Sequence, residues 1–147
     1  MNKLVFLVGL PGCGKSTYAK ENLSQNYEIL SSDKIRLELF GDENNQTNNS
    51  LVFNTLFDRA RNFLNQGKNV VIDATNVDLK ERQNSLNRFN DLQIERIAIV
   101  VDTPFEICVE RDKNRERTVG DAVIRKFANR FVMPTKEEGF NEIIIVK

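Results

Sequence analysis

GLPGCGKST, residues 9–17, fits the spacing G-x-x-x-x-G-K-[ST] at every position. At average composition a chance match arises in roughly half a per cent of chains of this length. The stretch follows an apolar run, KLVFLV at 3–8, and leads into a helical pattern at 15–24. Strand, glycine turn, helix is the context in which this spacing carries chemistry. Glycines let the backbone curl until successive N–H groups converge on phosphate oxygens. The helix that starts there adds the positive end of its dipole. Gly9, Gly12, Cys13, Gly14, Lys15, Ser16 and Thr17 are therefore expected to cradle a nucleotide. Lys15 is expected to reach the β- and γ-phosphates, and the Ser16 hydroxyl to join the shell of Mg2+. The implied ligands are ATP and Mg2+. Cys13 is expected to act through its backbone N–H, not as a nucleophile, and Cys108 to lie in the core.

Outward from that loop, strand-length apolar runs alternate with helical stretches. KLVFLV (3–8), YEIL (27–30), NVVID (69–73), IERIAIVV (94–101) and EIIIV (142–146) read as strands. Most lack a polar residue at alternate positions, which suits strands covered on both faces of a parallel sheet. Helices are expected at 15–24, 34–40, 51–65, 78–91, 104–116 and 121–131. In the third of these, Leu51, Leu56, Ala60, Phe63 and Leu64 are expected to form the buried stripe. The alternation predicts right-handed βαβ units in a three-layer α/β sandwich of the P-loop NTPase kind, with a five-stranded parallel sheet. One domain over 1–147, complete after its last strand, is expected. The asparagine-rich GDENNQTNN (41–49) reads as a solvated surface loop, with a substrate flap as the alternative.

Composition narrows the function classes. Lys plus Arg and Asp plus Glu are 21 each, so the formal net charge is zero. That balance argues against coating long nucleic acid by charge alone and leaves room for a local basic pocket. There is no histidine, which excludes histidine metal sites, triads and general bases. Two cysteines do not make a secreted disulfide framework, so a reducing cytoplasm is expected. No apolar stretch reaches membrane-spanning length, and the apolar start is too short for a signal peptide.

A phosphate loop implies a nucleotide but not a reaction. A guanine-reading N-K-x-D is absent. Ligands of open α/β sheets sit beyond the C-terminal ends of the strands. SSDKIR (31–36) follows the second strand and VVID ends the third at Asp73, so Asp33 and Asp73 are expected on the rim that carries the phosphate loop. A carboxylate there can accept the proton of an acceptor hydroxyl, help worth roughly 10²–10⁴-fold. Asp33 is the candidate base. Arg36 shares its helix face and can clamp an anionic group. Ser32 or Asp33 as a helix cap, with Arg36 solvated, is the bland alternative. Asp73 fits a metal-supporting carboxylate or an organiser of arginines, and Thr75 and Asn76 are expected to cap the following helix. ERDKNRERTVG (110–120) is expected to be an arginine-rich lid, with Arg115 on the transferring phosphoryl group and Arg111 stacked on adenine. Arg36, Lys80 and Arg82, if clustered, would favour a nucleic acid acceptor.

On GLPGCGKST, SSDKIR, IDATN, ERDKNRER and VIRKFANRFVMPTKEEGFNEIIIV, the chain resembles the kinase domain of phage-type 5′-polynucleotide kinases, within a wider group of small P-loop kinases that includes zeta-toxin-like enzymes. The likeness spans nearly the whole chain. It implies ATP-dependent phosphorylation of a polynucleotide 5′-hydroxyl, as in nucleic acid repair. It implies that Asp33 is the general base, that Arg36 contacts the phosphate beside the acceptor hydroxyl, that Asp73 organises the arginines and that Arg115 contacts ATP phosphate. Two details depart from the pattern: Ala74 stands between Asp73 and Thr75-Asn76, and Val119-Gly120 stands where Val-Pro is expected. The phosphatase signature D-x-D-G-T is absent. The competing expectations are a kinase of a small hydroxyl compound (nucleoside, sugar or antibiotic) and a non-catalytic nucleotide-binding module.

Overall fold

Strand β1 (Lys3–Val8) is apolar on both faces and lies at the centre of a parallel sheet. The computed structural model describes residues 1–115 and 119–147. In chain order the other elements are α1 (Lys15–Asn22), β2 (Tyr27–Ser31), α2 (Ser32–Phe40), α3 (Asn49–Asn65), β3 (Asn69–Asp73), α4 (Leu79–Asn87), β4 (Glu95–Val101), α5 (Phe105–Lys113), α6 (Asp121–Arg130) and β5 (Glu142–Val146), with a 3-10 turn at Lys136–Glu138. The strand order is β2-β3-β1-β4-β5, every pair parallel.

Alternation along β1 builds the layers. Leu4, Phe6 and Val8 join Val70, Ile72, Ala98 and Val100 in the larger core, under Val52, Leu56 and Ala60 of α3 and Leu86 of α4. Val5 and Leu7 face the other way, with Val71, Ile97, Ile99 and Ala19 of α1. Side chains two apart share a face of a strand, so a strand between two helical layers needs apolar residues at every position. The strand expectations hold to within a residue.

Three local expectations change. The buried stripe of α3 is Val52, Leu56, Phe57, Ala60 and Leu64; Leu51 is exposed and Phe63 only half-buried. Position 52, not 51, lies four residues before Leu56, where a helix repeats its face. Helix α4 stops at Asn87, short of 91, and the turn that follows buries Phe89. The expected caps Thr75 and Asn76 lie too early: Asp78 caps α4 by accepting from the Glu81 N–H at 3.1 Å. Asn76 sits at φ 50 and donates to the Leu7 carbonyl at 2.7 Å, tying the loop after β3 to β1. Helix α5 ends at Lys113, with Asn114 as its C-cap, short of the expected 116; part of the lid expected over 110–120 falls on residues 116–118, outside the described residues.

Parallel register brings the strand ends to one rim. Ser31 pairs with Asp73, Phe6 with Ile72, and Val8 with Val100. The loops after β1, β2 and β3 therefore leave the sheet on one side, where ligands of such sheets bind.

Candidate active site

A cleft of about 890 Å3 opens along that rim. One end is the loop between β1 and α1. Gly12 has φ 79, and a Cβ there would lie 2.8 Å from the Cys108 carbonyl oxygen, so only glycine lets the loop pass over α5. Gly9 is absent from the cleft lining and shapes the loop from behind: its N–H donates to the Thr75 carbonyl at 3.0 Å. Gly12, Cys13, Gly14, Lys15, Ser16 and Thr17 all line the cleft. The Cys13 side chain is buried against Cys108, Val101 and Ile124, while its carbonyl accepts from Thr103 Oγ1 at 2.8 Å and from an Arg111 guanidinium nitrogen at 3.0 Å. Burial pushes the Cys108 thiol up to about 11, so it stays protonated at neutral pH and is a core residue.

Lys15 is buried, and its ammonium donates to the Gly9 and Leu10 carbonyls at 3.0 and 2.9 Å. The cation is thus held inside the loop. Ser16 Oγ donates to Asp73 Oδ2 at 2.6 Å, joining the start of α1 to the end of β3. Among the described residues Asp73 bonds to Ser16 and to no arginine.

At the other end stand Asp33 and Arg36. Neither Ser32 nor Asp33 caps α2; Ser31 does, accepting from the Lys34 N–H at 3.3 Å. Asp33 is consequently in the first turn, half-exposed, with its carboxylate in the cleft wall. An Arg36 guanidinium nitrogen donates to Asp33 Oδ1 at 3.0 Å and the other to Asn49 Oδ1 at 3.1 Å. The Arg36 side chain is 7% exposed and the residue lines the cleft; its Nε–H is buried without a partner. A guanidinium at a cleft wall favours an anion there.

Arg111 and Arg115 both line the cleft, and Arg111 is anchored to Cys13. Asp112, buried between them, accepts from the Val119 and Gly120 N–H groups at 2.9 Å each, which pins those two residues onto α5. Arg82 does not join Arg36. It is fully buried, paired with Glu138 at 2.8 and 3.1 Å and donating to the Asn76 and Val77 carbonyls. Lys80 is exposed on α4, outside the cleft lining. Arg36, Lys80 and Arg82 therefore do not cluster: Glu138 takes Nε and Nη2 of the buried Arg82, and the Asn76 and Val77 carbonyls take Nη1. Sequence reasoning missed Thr103, Asp112 and Asn49, whose partners lie 7 to 90 residues away. It also leaned away from the 41–48 segment, of which Glu43, Asn44 and Gln46 line the cleft.

Comparison with known proteins bears on this geometry. The model of the family described as AAA domain matches residues 4–134. The bifunctional polynucleotide phosphatase/kinase of Schizosaccharomyces pombe is 26% identical over 147 residues, covering 96% of this chain and 32% of that protein. A chain in the structure of the Pnkp1/Rnl/Hen1 RNA repair complex is 27% identical with a TM-score of 0.78, covering 88% of this chain and 43% of that one. A fungal RNA kinase shares the fold at 17% identity and a TM-score of 0.72, covering 99% of this chain and 38% of that one. The chain thus spans about a third of the curated relatives' length.

Proposed function

The chain belongs to the AAA domain family, and from that premise we propose that it transfers the γ-phosphoryl group of ATP to the 5′-hydroxyl of a polynucleotide. One observation carries the reading: a single cleft holds the phosphate loop with Lys15, the Ser16–Asp73 pair and the Asp33–Arg36 pair. The relatives named above, polynucleotide and RNA kinases, support the same acceptor class.

In this reading Asp33 takes the proton of the acceptor hydroxyl as its oxygen bonds to the γ-phosphorus. The bond from that phosphorus to the β–γ bridging oxygen breaks, and ADP leaves. Arg36 holds the phosphate next to the acceptor hydroxyl through its guanidinium, from a cleft-lining position. Lys15 exchanges its loop carbonyls for donor phosphate oxygens, and Arg115 meets charge on the transferring group. The loop fits a triphosphate: Gly12 to Thr17 line the cleft, with the Lys15 ammonium held inside it. Ser16 and Asp73 offer hard oxygens that suit Mg2+. Among the described residues no cluster of three or more His, Cys, Asp or Glu could hold a metal by itself, so the ion would arrive with the nucleotide. When bound, Mg2+ supplies neutralisation of phosphate charge. Among the described residues no helix is long and apolar enough to cross a membrane; a reducing cytoplasm, with Cys13 and Cys108 as free thiols, is the compartment proposed.

The test is transfer of label from γ-labelled ATP to a panel of 5′-OH oligonucleotides, nucleosides and sugars. Oligonucleotide ends are expected to be labelled. Asp33→Asn is expected to retain ATP binding and lose roughly 10²–10⁴-fold in kcat. Label on small molecules alone would reject the acceptor; label nowhere would leave a nucleotide-binding module.

A further inference from the structure

The acceptor end of the cleft has an apolar wall that the chemistry above does not use. Phe53 of α3 is half-buried and lines the cleft together with Asp33, Arg36 and Asn49. Asn49 and Phe53 are four residues apart, so they share one face of α3, a single turn from each other. Asn49 is bonded to the Arg36 guanidinium, and its amide donates to Gln46 Oε1 at 2.9 Å. Phe53 therefore stands about one helical turn from the group that contacts the anion-binding arginine.

Its ring is held from behind. Phe57 lies with its centroid 6.1 Å away at an interplanar angle of 36°, and Phe57 meets Phe89 edge-on at 5.9 Å. Phe57 and Phe89 are buried, so Phe53 is the outermost ring of an aromatic column rooted in the core. A ring fixed in this way presents a flat face with little rotational freedom left to lose. Val123 and Phe127 of α6 line the same cleft, and Val123 is exposed despite being apolar.

We infer that Phe53 is the platform on which the acceptor's 5′-terminal nucleobase stacks. This rests on the polynucleotide reading above and adds a specificity residue to it. A polynucleotide end presents a hydroxyl, a phosphate and a base to the protein. Asp33 takes the first, Arg36 the second, and Phe53 the third. Stacking does not depend on base identity, because every base has a π-face. The enzyme should therefore phosphorylate ends of any sequence and discriminate against acceptors without an aromatic base.

The experiment compares 5′-OH oligonucleotides that carry a base at the terminal nucleotide with matched oligonucleotides abasic there. With the wild-type protein, loss of the terminal base should raise the acceptor KM by roughly 5- to 150-fold, the range expected for one stacked base. Phe53→Leu should raise the KM of the base-bearing end by a similar factor, leave the KM for ATP where it was, and respond little to the abasic end. Phe53→Tyr and Phe53→Trp should restore discrimination. Equal use of both ends by the wild-type protein overturns the platform without any variant. An equal loss on both ends in Phe53→Leu also overturns it, since packing alone would do that. If the wild-type protein labels no oligonucleotide, the acceptor reading fails and this inference fails with it; if it labels both ends alike, only the platform does.

Discussion

Ser16 Oγ and Asp73 Oδ2 lie 2.6 Å apart, although 57 residues separate them in the chain. The contact joins two carriers of hard oxygen on the rim, one at the start of α1 and one at the end of β3. It needs β1 and β3 side by side, since the first delivers the loop and the second the carboxylate.

Ser16→Ala removes one of these oxygens and leaves the Asp73 carboxylate without its donor. The apparent affinity for Mg2+ in the labelling reaction should fall at least roughly 10- to 100-fold, the range seen when a partner of a metal site is removed. A titration of Mg2+ at saturating ATP measures this. An unchanged midpoint would make the pair a purely structural link between α1 and β3.

Gly12→Ala and Gly67→Ala separate two causes. Both positions have left-handed backbone, at φ 79 and φ 78. A Cβ at Gly12 would also meet the Cys108 carbonyl oxygen at 2.8 Å, whereas nothing lies within 4 Å at Gly67. Both should lose about 1–2 kcal/mol of stability from backbone strain. Only Gly12→Ala should also displace the loop and weaken ATP binding, read by calorimetric titration with a non-hydrolysable analogue.

Arg82 and Glu138 form a buried pair, with side chains 0% and 4% exposed. Arg82→Met leaves the Glu138 carboxylate buried without its partner and should cost about 3–5 kcal/mol in denaturant unfolding. Joining it to Glu138→Leu should recover most of that loss. Recovery would show that the pair secures the 3-10 turn against α4 by mutual neutralisation and not by its charge as such.

Asp91 carries the pH prediction. The Arg61 guanidinium bonds both its oxygens, at 3.0 and 2.8 Å, and holds the carboxyl below its usual range. A lowered folded pKa contributes stability that is present above the unfolded value of about 3.9 and is lost as pH falls through the folded one. Asp91→Asn should therefore melt slightly below the wild type at pH 7. The gap should close as the pH is taken down past that carboxylate range. The pair is exposed, so the gap should also shrink in high salt.

How much of this was legible in the chain depended on distance along it. The phosphate loop reads directly, because Gly12, Lys15 and Ser16 act within one turn of backbone and their spacing is their geometry. The five strands read directly too, since burial on both faces demands runs such as KLVFLV. Asp33 and Asp73 were placed on the correct rim by a topological rule, without knowledge of any contact.

What the chain could not express locally was who meets whom. Arg36 and Arg82 look alike in the sequence, three residues past an aspartate in one case and inside LKERQ in the other. Folding leaves the first in the cleft wall and seals the second against Glu138, 56 residues away. Hydrophobic pattern and motif spacing are short-range properties that a sequence carries in full. The pairing of polar side chains is settled only when sheet register and helix packing bring remote positions within hydrogen-bond reach, because an ionic or polar group pays for burial according to the partners it finds there.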